Sequence, residues 1–255
     1  MQYKKQGCFQ HHTLLFDYAG FSHRGMIRPV NEDNFLVLPD HATFCVADGA
    51  GGLEAGDLAS HLALETIAST LKENGSGGED KQLLNRAIDA ANHSVFDTAG
   101  KKRMATTLVT GMADAQMIHL FHVGDSRAYL WRKNELQQKT EDHSLVAELY
   151  QEGKISFEEI QNHPRRNVIT RAIGAAETVQ IESQAFDHAD QDVVLLCSDG
   201  LTTMLDEDKI SEIMRESGPE LDETAQQLVN TANACGGRDN ITVLLFRLRS
   251  HAATT

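Results

Sequence analysis

The stretch FCVADGAGG, residues 44–52, carries an apolar run that stops at an aspartate and continues into glycines. A second stretch, VLLCSDGLT at residues 194–202, repeats this order of an apolar run, an aspartate and a glycine. Burying an ionised aspartate is unfavourable unless a charge partner is close. Glycine after the aspartate lets the backbone approach a ligand closely. Either stretch alone fits an ordinary Asp-Gly turn. Several such stretches in one chain would instead favour a ligand-binding site.

Acidic residues flank three further apolar runs. RPVNEDNFLVL places Glu32 and Asp33 before a strand, and GGRDNITVLL places Asp239 before another. HLFHVGDSRAYL places Asp125 directly after a strand. Carboxylates that share a site repel one another and need cations between them to stay ionised. Together the five stretches favour a site for several hard cations, Mg²⁺ or Mn²⁺, and the lack of a His/Cys cluster in the sequence argues against zinc.

Composition limits the class of protein. The chain has 255 residues, 41% of them apolar and 24% charged, with a formal net charge of −14. This acidity argues against a nucleic-acid partner, which would need clustered Lys and Arg. Neither a run of about 18 apolar residues nor the apolar segment of a secretory signal is present, so we expect no membrane span or export. The four cysteines lack metal-type spacing, and a reducing cytoplasm fits best.

Hydrophobic periodicity predicts the elements of the fold. Residues 54–71 repeat apolar side chains every three or four positions, which is typical of an amphipathic helix. Residues 144–166 are polar and helix-prone, and we interpret them as a surface insertion. Strands occur in groups separated by helix pairs, which favours an α+β layered architecture with antiparallel sheets in a single domain, residues 1–255. The other predicted elements are strands at 14–23, 34–39, 42–47, 192–200 and 240–249, a hairpin tip at 132–136, a loop at 74–80, and helices at 83–96, 205–216 and 222–235.

Other chemistries find little support. The glycines of DGAGG do not form a phosphate-binding loop, because neither G-K-[ST] nor G-x-G-x-x-G accompanies them. No cysteine is followed six residues later by arginine, which excludes a cysteine-phosphatase loop. Ser198 lacks the G-x-S-x-G pattern of a nucleophilic serine. His122 and His143 lie nearest the acidic stretches, and we interpret each as a core or surface residue rather than a catalyst.

Arg28 is the cation that stands out beside the acids. Pro29 favours extended backbone at Arg28, and Asn31, Glu32 and Asp33 follow directly. A guanidinium next to cation-binding carboxylates is suited to hold phosphate through two parallel hydrogen bonds. A surface ion pair between Arg28 and a glutamate is the alternative at this point.

Taken in order, the motifs resemble the metal-dependent protein phosphatases of the type 2C or PPM family, in their bacterial single-domain form. The resemblance covers about residues 17–247, and eight motifs occur in family order at family spacing. They are RPVNEDNF (28–35), VADGAGG (46–52), ATTLV (105–109), HVGDSRAYL (122–130), TEDHSLV (140–146), NVITRAIG (167–174), LLCSDGLT (195–202) and GGRDNITVLL (236–245).

The resemblance implies a four-layer αββα sandwich, in which helix pairs flank two antiparallel sheets. It also implies a set of site residues. Asp48 would bridge two metal ions, with the Gly49 carbonyl on one of them, and segment 144–170 would form a flap near the site. The remaining implied roles are metal binding by Asp199 and Asp239, a third and looser metal at Asp125, binding or orientation of metal waters by Glu32 and Asp33, and phosphate binding by Arg28 with Asn240 beside it.

Two positions depart from the family pattern. Ala50 lies where some members have histidine, a suggested general acid, and Leu53 lies where histidine is common. Alanine offers no proton, so the leaving group would take its proton from a metal-bound water or another residue. The departures affect the acid step and leave the implied metal ligands intact.

The resemblance further implies hydrolysis of phosphoserine and phosphothreonine in proteins by a water that two Mn²⁺ or Mg²⁺ ions activate, without a phosphoenzyme intermediate. The expected setting is a cytoplasmic monomer in signal transduction that opposes a Ser/Thr protein kinase and acts on phosphorylated proteins. Two alternatives stay open. A pseudophosphatase would keep the fold without the chemistry, and a small-molecule phosphatase would use the same site on another substrate.

Overall fold

A computed structural model of the protein describes residues 2–50, 55–74, 81–100 and 104–250. The strands are β1 (Gln2–His11), β2 (Leu14–His23), β3 (Asp33–Leu38), β4 (Thr43–Ala50), β5 (Ala105–Thr106), β6 (Leu108–Ala113), β7 (Met117–Val123), β8 (Arg127–Arg132), β9 (Glu135–Gln138), β10 (Glu182–Asp187), β11 (Val193–Cys197) and β12 (Ile241–Ser250). The helices are α1 (Ala55–Glu73), α2 (Lys81–Ala99), α3 (Leu145–Gln151), α4 (Phe157–Asn162), α5 (Asp199–Thr202), α6 (Glu207–Glu216) and α7 (Leu221–Ala234).

The strands form two antiparallel sheets. The first sheet has the order β1-β2-β12-β11-β8-β9. The second has the order β10-β7-β6-β4-β3, and β5 pairs with the far end of β4. The pairs β2–β12 and β3–β4 matter most for function, because they fix where the acidic strand ends lie.

A buried apolar layer lies between the sheets. Strands of both sheets alternate their side chains across this layer, as the two-residue period of a strand requires. Phe44 of β4 stacks on Phe246 of β12, with ring centroids 4.0 Å apart and ring planes 5° from parallel. Phe16, Leu130 and Leu196 are also fully or almost fully buried in this layer. Truncating one of these phenylalanines to alanine is expected to cost about 3–5 kcal/mol.

Helices cover the outer face of each sheet. The apolar residues of α1 and α2 pack against the second sheet, as Ala63, Ile67 and Ile88 illustrate. Those of α6 and α7 pack against the first sheet. The layers therefore run helix, sheet, sheet, helix, and the predicted α+β architecture with two antiparallel sheets is confirmed.

Local sequence signals explain several element boundaries. Asp206 precedes α6 and accepts a hydrogen bond from the Lys209 N–H at 2.8 Å, an N-cap that the helix start needs. Glu159 accepts from the Ser156 N–H at 2.7 Å and closes the first turn of α4. The predicted hairpin tip lies between β8 and β9, where Lys133 and Asn134 both have positive φ, as a two-residue hairpin turn requires.

The structure differs from the sequence predictions in three places. The segment before residue 14 is a strand, β1, paired along its whole length with β2. β4 continues through Asp48 to Ala50 because β5 and β3 supply partners on both sides. Asp199 is not the last residue of a strand but the first residue of the short helix α5.

The predicted insertion at 144–166 contains the two short helices α3 and α4. The predicted helices at 54–71 and 83–96 correspond to α1 and α2, whereas most of the predicted loop at 74–80 lies outside the described residues. In the part of the chain that the structure describes, no helix is long and apolar enough to cross a membrane.

Candidate active site

The predicted acids of both sheets meet at one end of the sandwich. Asp33 at the start of β3 is the direct cross-strand partner of Asp48 on β4. The first sheet contributes Asp199, which follows β11, and Asp239, which precedes β12. Asp199 is close enough to Asp48 for its charge to raise the pKa of Asp48. Two carboxylates from each sheet therefore face one another across the gap between the sheets.

Asp33 is fixed by hydroxyl groups from the first sheet. Its Oδ2 accepts a hydrogen bond from Ser198 Oγ at 2.7 Å. Ser198 Oγ in turn accepts from the Thr242 N–H at 2.9 Å. This chain ties the start of β3 to the ends of β11 and β12, so the position of Asp33 depends on how the two sheets pack.

The backbone of Asp48 is held on both sides. Its N–H donates to Thr107 Oγ1 at 3.1 Å, and its carbonyl accepts from the Thr107 N–H at 2.8 Å and from Thr106 Oγ1 at 2.9 Å. Thr107 Oγ1 also lies 2.7 Å from Ser126 Oγ, next to Asp125. Asp125 itself is buried after the end of β7. The same threonine thus links the segments that carry Asp48 and Asp125.

Two positions beside the acids must be glycine, because backbone from another segment lies too close for a side chain. A Cβ on Gly49 would lie 2.1 Å from the Gly56 carbonyl oxygen. A Cβ on Gly200 would lie 1.8 Å from the Asn240 carbonyl oxygen. No side chain fits at such distances, so the glycine after Asp48 and the glycine after Asp199 both let neighbouring backbone close around the acids.

Burial and mutual repulsion raise the pKa values of the clustered acids. Burial raises the pKa of Asp33 to about 7, with further increases from Asp199 and Asp239. Burial raises the pKa of Asp125 to about 8 and that of Asp199 to about 6. The pKa of Asp48 is raised well above its ordinary value by burial, then by the charges of the other four acids. Without cations, these carboxylates would be partly protonated at neutral pH.

The acids fit divalent cations. Glu32, Asp33, Asp48, Asp125, Asp199 and Asp239 together form the carboxylate cluster. Among the described residues, three buried oxygens of this cluster find no hydrogen-bond partner, namely Glu32 Oε1, Asp33 Oδ1 and Asp125 Oδ1. Buried oxygens are normally paired, so these three lack something that a bound ion would supply. A set made only of carboxylate and carbonyl oxygens matches the preference of Mg²⁺ and Mn²⁺.

Arg28 lies at the exposed rim of the acids. Its Nη2 donates to Asp239 Oδ2 at 2.6 Å, and about half of its side chain remains exposed. The alternative of a surface pair with a glutamate is therefore not what the structure contains. Within the described residues, Arg28 donates one hydrogen bond to a side chain, which leaves other N–H groups for an oxyanion at the rim.

Asn240 organises the loop that carries Arg28 and Glu32. Its Oδ1 accepts from the Glu32 N–H at 2.8 Å, and its Nδ2 donates to the carbonyls of Arg24 and Val30 at 2.9 and 2.8 Å. The side chain is buried and its polar atoms are occupied by backbone groups. Asn240 therefore positions the loop that carries Arg28 and Glu32.

The sequence pattern did not predict a functional role for several residues around the acids. Ser198 and Thr107 are ordinary polar residues in sequence, and only their contacts identify them as supports of Asp33 and Asp48. Arg127 forms two hydrogen bonds with Asp142, at 2.8 and 2.7 Å, beside the cluster. Ala50 is exposed at the end of β4, and Leu53 lies outside the described residues.

Comparison with known proteins identifies the family. The sequence model of the Protein phosphatase 2C family matches residues 20–234. Serine/threonine phosphatase stp of Listeria monocytogenes is 40% identical over 232 residues, covering 87% of this chain and 92% of that protein. Protein phosphatase PhpP of Streptococcus pneumoniae is 36% identical over 238 residues, covering 90% and 96%. The chain belongs to the protein phosphatase 2C family.

Solved structures agree with this assignment. The serine/threonine phosphatase PstP/Ppp of Mycobacterium tuberculosis has a TM-score of 0.84 and 35% identity, covering 92% of this chain and 99% of that one. The catalytic domain of PstP in complex with two manganese ions has a TM-score of 0.83 and 33% identity, covering 93% and 100%. The fold and the family prediction are both confirmed.

Proposed function

We propose that this protein is a metal-dependent phosphatase that hydrolyses phosphoserine and phosphothreonine in proteins without a phosphoenzyme intermediate. The observation that carries the proposal is the meeting of acids from both sheets with buried oxygens that lack partners, beside an exposed arginine. Family membership and the names of the related phosphatases support the same reaction and substrate class.

The ligand roles are those that the family resemblance implies. Asp48, the Gly49 carbonyl, Asp199 and Asp239 would hold two Mn²⁺ or Mg²⁺ ions. When bound, the ions supply Lewis-acid activation of a water and balance charge on the phosphoryl oxygens. Ser198 and Thr107 keep Asp33 and Asp48 in place through the hydrogen bonds at 2.7 and 3.1 Å.

Arg28 would hold the phosphoryl group at the rim. Its ion pair with Asp239 holds the guanidinium beside the acids before substrate binds. Guanidinium N–H groups suit the equatorial oxygens of a phosphoryl group, on which charge accumulates during transfer. Glu32 and Asp33, each with one unpartnered buried oxygen, would orient waters between the acids and the substrate.

The proton for the leaving serine or threonine oxygen does not come from position 50. Ala50 offers no proton, although it is exposed beside the acids. A solvent or metal-associated water is then the proton source. This assignment predicts that restoring histidine at position 50 changes the pH profile for substrates with poor leaving groups more than for p-nitrophenyl phosphate.

The test measures turnover of p-nitrophenyl phosphate and of a phosphothreonine peptide with Mn²⁺. Asp48→Asn and Asp239→Asn are compared with wild type, and Asp222→Asn is the matched control because its ion pair with Lys4 lies on the outer strand β1. We expect large losses in the first two variants and none in the control. Wild-type rates in both site variants would refute the proposal.

The same assays separate the alternative functions. A pseudophosphatase would bind the phosphopeptide without turnover and show no activity with any divalent ion. A small-molecule phosphatase would prefer small phosphomonoesters to phosphoproteins in kcat/KM. A catalytically active protein that dephosphorylates intact phosphoproteins faster than small esters supports the proposal.

The proposal also covers the identity of the ions, a third ion, the domain and the cellular setting. Mg²⁺ would replace Mn²⁺ because both prefer oxygen ligands, and Asp125 would hold a third, weaker ion through its unpartnered Oδ1. We propose one catalytic domain, residues 1–255, with a flap at 144–170, acting as a cytoplasmic monomer in signal transduction opposite a Ser/Thr kinase. Sedimentation checks the monomer, and phosphoproteomics of a deletion strain beside an Asp239→Asn strain identifies the substrates.

A further inference from the structure

A second group of ligating side chains lies at the edge of the second sheet. His122 on β7 and Glu182 on β10 are direct cross-strand partners. His143, from the segment before α3, places its ring against that of His122, with centroids 4.6 Å apart and planes 20° from parallel. One candidate ligand atom from each of the three residues lies within 4.8 Å of the others. The sequence separates these residues by up to 60 positions, and no zinc spacing predicts the group.

Hydrogen bonds define the protonation of both rings. His143 Nδ1 accepts from the Gly124 N–H at 3.1 Å, so the proton of a neutral ring is on Nε2, 3.0 Å from Glu182 Oε2. His122 Nε2 lies 2.8 Å from the Glu141 carbonyl oxygen and donates to it. The lone pair of neutral His122 is then on Nδ1.

The electrostatics favour a neutral His143 beside an ionised Glu182. Burial lowers the pKa of His143, and the neighbouring His122 and Arg171 lower it further, while Glu182 raises it. Burial alone would raise the pKa of Glu182, but its hydrogen bond to His143 and the nearby positive charges outweigh burial and lower that pKa. A neutral imidazole next to an ionised carboxylate is the form that binds a metal ion.

We propose that His122, His143 and Glu182 form a binding site for one zinc-class transition-metal ion, separate from the carboxylate cluster. Two imidazoles and a glutamate are a known ligand set for Zn²⁺, with the fourth position left to water. Imidazole nitrogens also select Zn²⁺ over Mg²⁺, which the carboxylate cluster prefers. An ion here would connect the ends of β7 and β10 to the segment that leads into α3.

Binding requires a rearrangement of the rings and of one hydrogen bond. Ligand atoms of one zinc ion at about 2.0–2.2 Å lie roughly 3–4 Å from each other, so the group must contract slightly. The nearly parallel rings must tilt until their lone pairs converge. The His143 proton moves from Nε2 to Nδ1, which breaks the hydrogen bond from the Gly124 N–H and frees the Nε2 lone pair for an ion between His143 and Glu182. Arg171 Nη1 lies 3.9 Å from Glu182 Oε2, and its positive charge opposes a cation at that oxygen.

The test is calorimetric titration of the full chain with Zn²⁺ in the presence of saturating Mg²⁺, which occupies the carboxylate cluster. We expect one bound Zn²⁺. Glu182→Gln should weaken this binding by about 100-fold or more, since loss of a mere outer-shell partner already costs about 10- to 100-fold. Arg171→Gln should tighten it, because it removes the opposing charge.

His119→Gln is the matched control, since His119 lies on the same strand and pairs with Asp114 at 2.6 Å outside the group. Its Zn²⁺ affinity should equal that of wild type. Replacing the buried His122 or His143 would disturb packing as well as binding. Glu182→Gln, whose side chain is 42% exposed, therefore decides the outcome. No Zn²⁺ binding by wild type, or equal binding by folded Glu182→Gln, would overturn the proposal without touching the phosphatase assignment.

Discussion

The carboxylate cluster and the group of His122, His143 and Glu182 are two sets of ligating side chains with opposite hydrogen-bond states. In the carboxylate cluster, buried oxygens of Glu32 and Asp125 have no hydrogen-bond partner in the part of the chain that the structure describes. In the histidine group, both imidazoles are hydrogen-bonded to neighbours at 2.8–3.1 Å. The first set is incomplete without cations, whereas the second is already satisfied within the protein.

This difference separates two kinds of metal dependence. Incomplete acids repel one another, so the protein gains stability as well as activity when cations bind. A group closed by its own hydrogen bonds gains only the difference between the metal bonds and the bonds they replace. We therefore expect strong metal effects at the carboxylate cluster and weaker ones at the histidine group.

The largest expected effect is on catalysis. Asp199→Asn should lower kcat/KM for a phosphothreonine peptide by about 10²-fold or more, because it removes a ligand oxygen from the cluster. Glu182→Gln should keep wild-type kcat/KM, since the histidine group contacts none of the proposed substrate-binding residues. Steady-state assays with Mn²⁺ check both variants. Equal losses of kcat/KM in the two variants would show that the two regions form one site.

The next effect is on stability. Mn²⁺ at about 100 times its dissociation constant should add about 2.7 kcal/mol, which corresponds to a rise in Tm of roughly 5–10 °C. Asp48→Asn should remove most of the rise, because a proposed ligand oxygen is lost and cation affinity falls. Thermal melts in chelator and in Mn²⁺ measure the shift. A Tm that Mn²⁺ does not change would contradict the view that the carboxylate cluster needs cations to be complete.

Two buried asparagines test whether the loop near the acids is functional or only structural. Asn240 and Asn92 each bind three backbone groups through their side chains. Replacing either with alanine should cost about 2 kcal/mol, because buried backbone groups lose their partners. Only Asn240→Ala should also lower kcat/KM, by up to roughly 10²-fold, since it misplaces Arg28 and Glu32.

Urea denaturation and kinetic assays of both asparagine variants provide the measurement. Similar losses of stability with a catalytic defect confined to Asn240→Ala would support the positioning role. A catalytic defect of equal size in Asn92→Ala would mean that general destabilisation explains both.

The smallest expected effect concerns the histidine group. With Mg²⁺ saturating the carboxylate cluster, Zn²⁺ should raise the Tm by only about 2–4 °C, equivalent to about 1 kcal/mol, because the ion displaces existing hydrogen bonds. Glu182→Gln should abolish this rise and His119→Gln should keep it. Differential scanning fluorimetry measures the shift. A rise in Tm with Zn²⁺ that exceeds the rise with Mn²⁺ would show that the histidine group depends more on metal than the carboxylate cluster does.

Most of the secondary structure was predictable because it depends on local sequence. The three- and four-residue apolar repeat of residues 54–71 became α1, and the Lys133–Asn134 turn closes β8 onto β9. β1 was missed because its residues are exposed and mostly polar, so it carries no apolar pattern; its partner β2 makes it a strand. β4 runs past Asp48 because neighbouring strands pair with it, which a single segment cannot reveal.

The carboxylate cluster was partly predictable for a related reason. Each acid is next to an apolar run, so the ends of strands were visible in sequence, and the motifs matched a family. Ser198 and Asn240 were harder to interpret, because their roles depend on hydrogen bonds to residues 165 and more than 200 positions away.

The sequence by itself determined which strands end in acids, where glycines permit close backbone contact, and which family the chain belongs to. Those features are local, and a linear pattern contains them. Only the tertiary structure decided that Asp33 faces Asp48, that Asp199 approaches from the opposite sheet, and that His122, His143 and Glu182 share a corner. The physical reason is that strand order and sheet packing set these distances, and both arise from contacts between segments that are far apart in the chain.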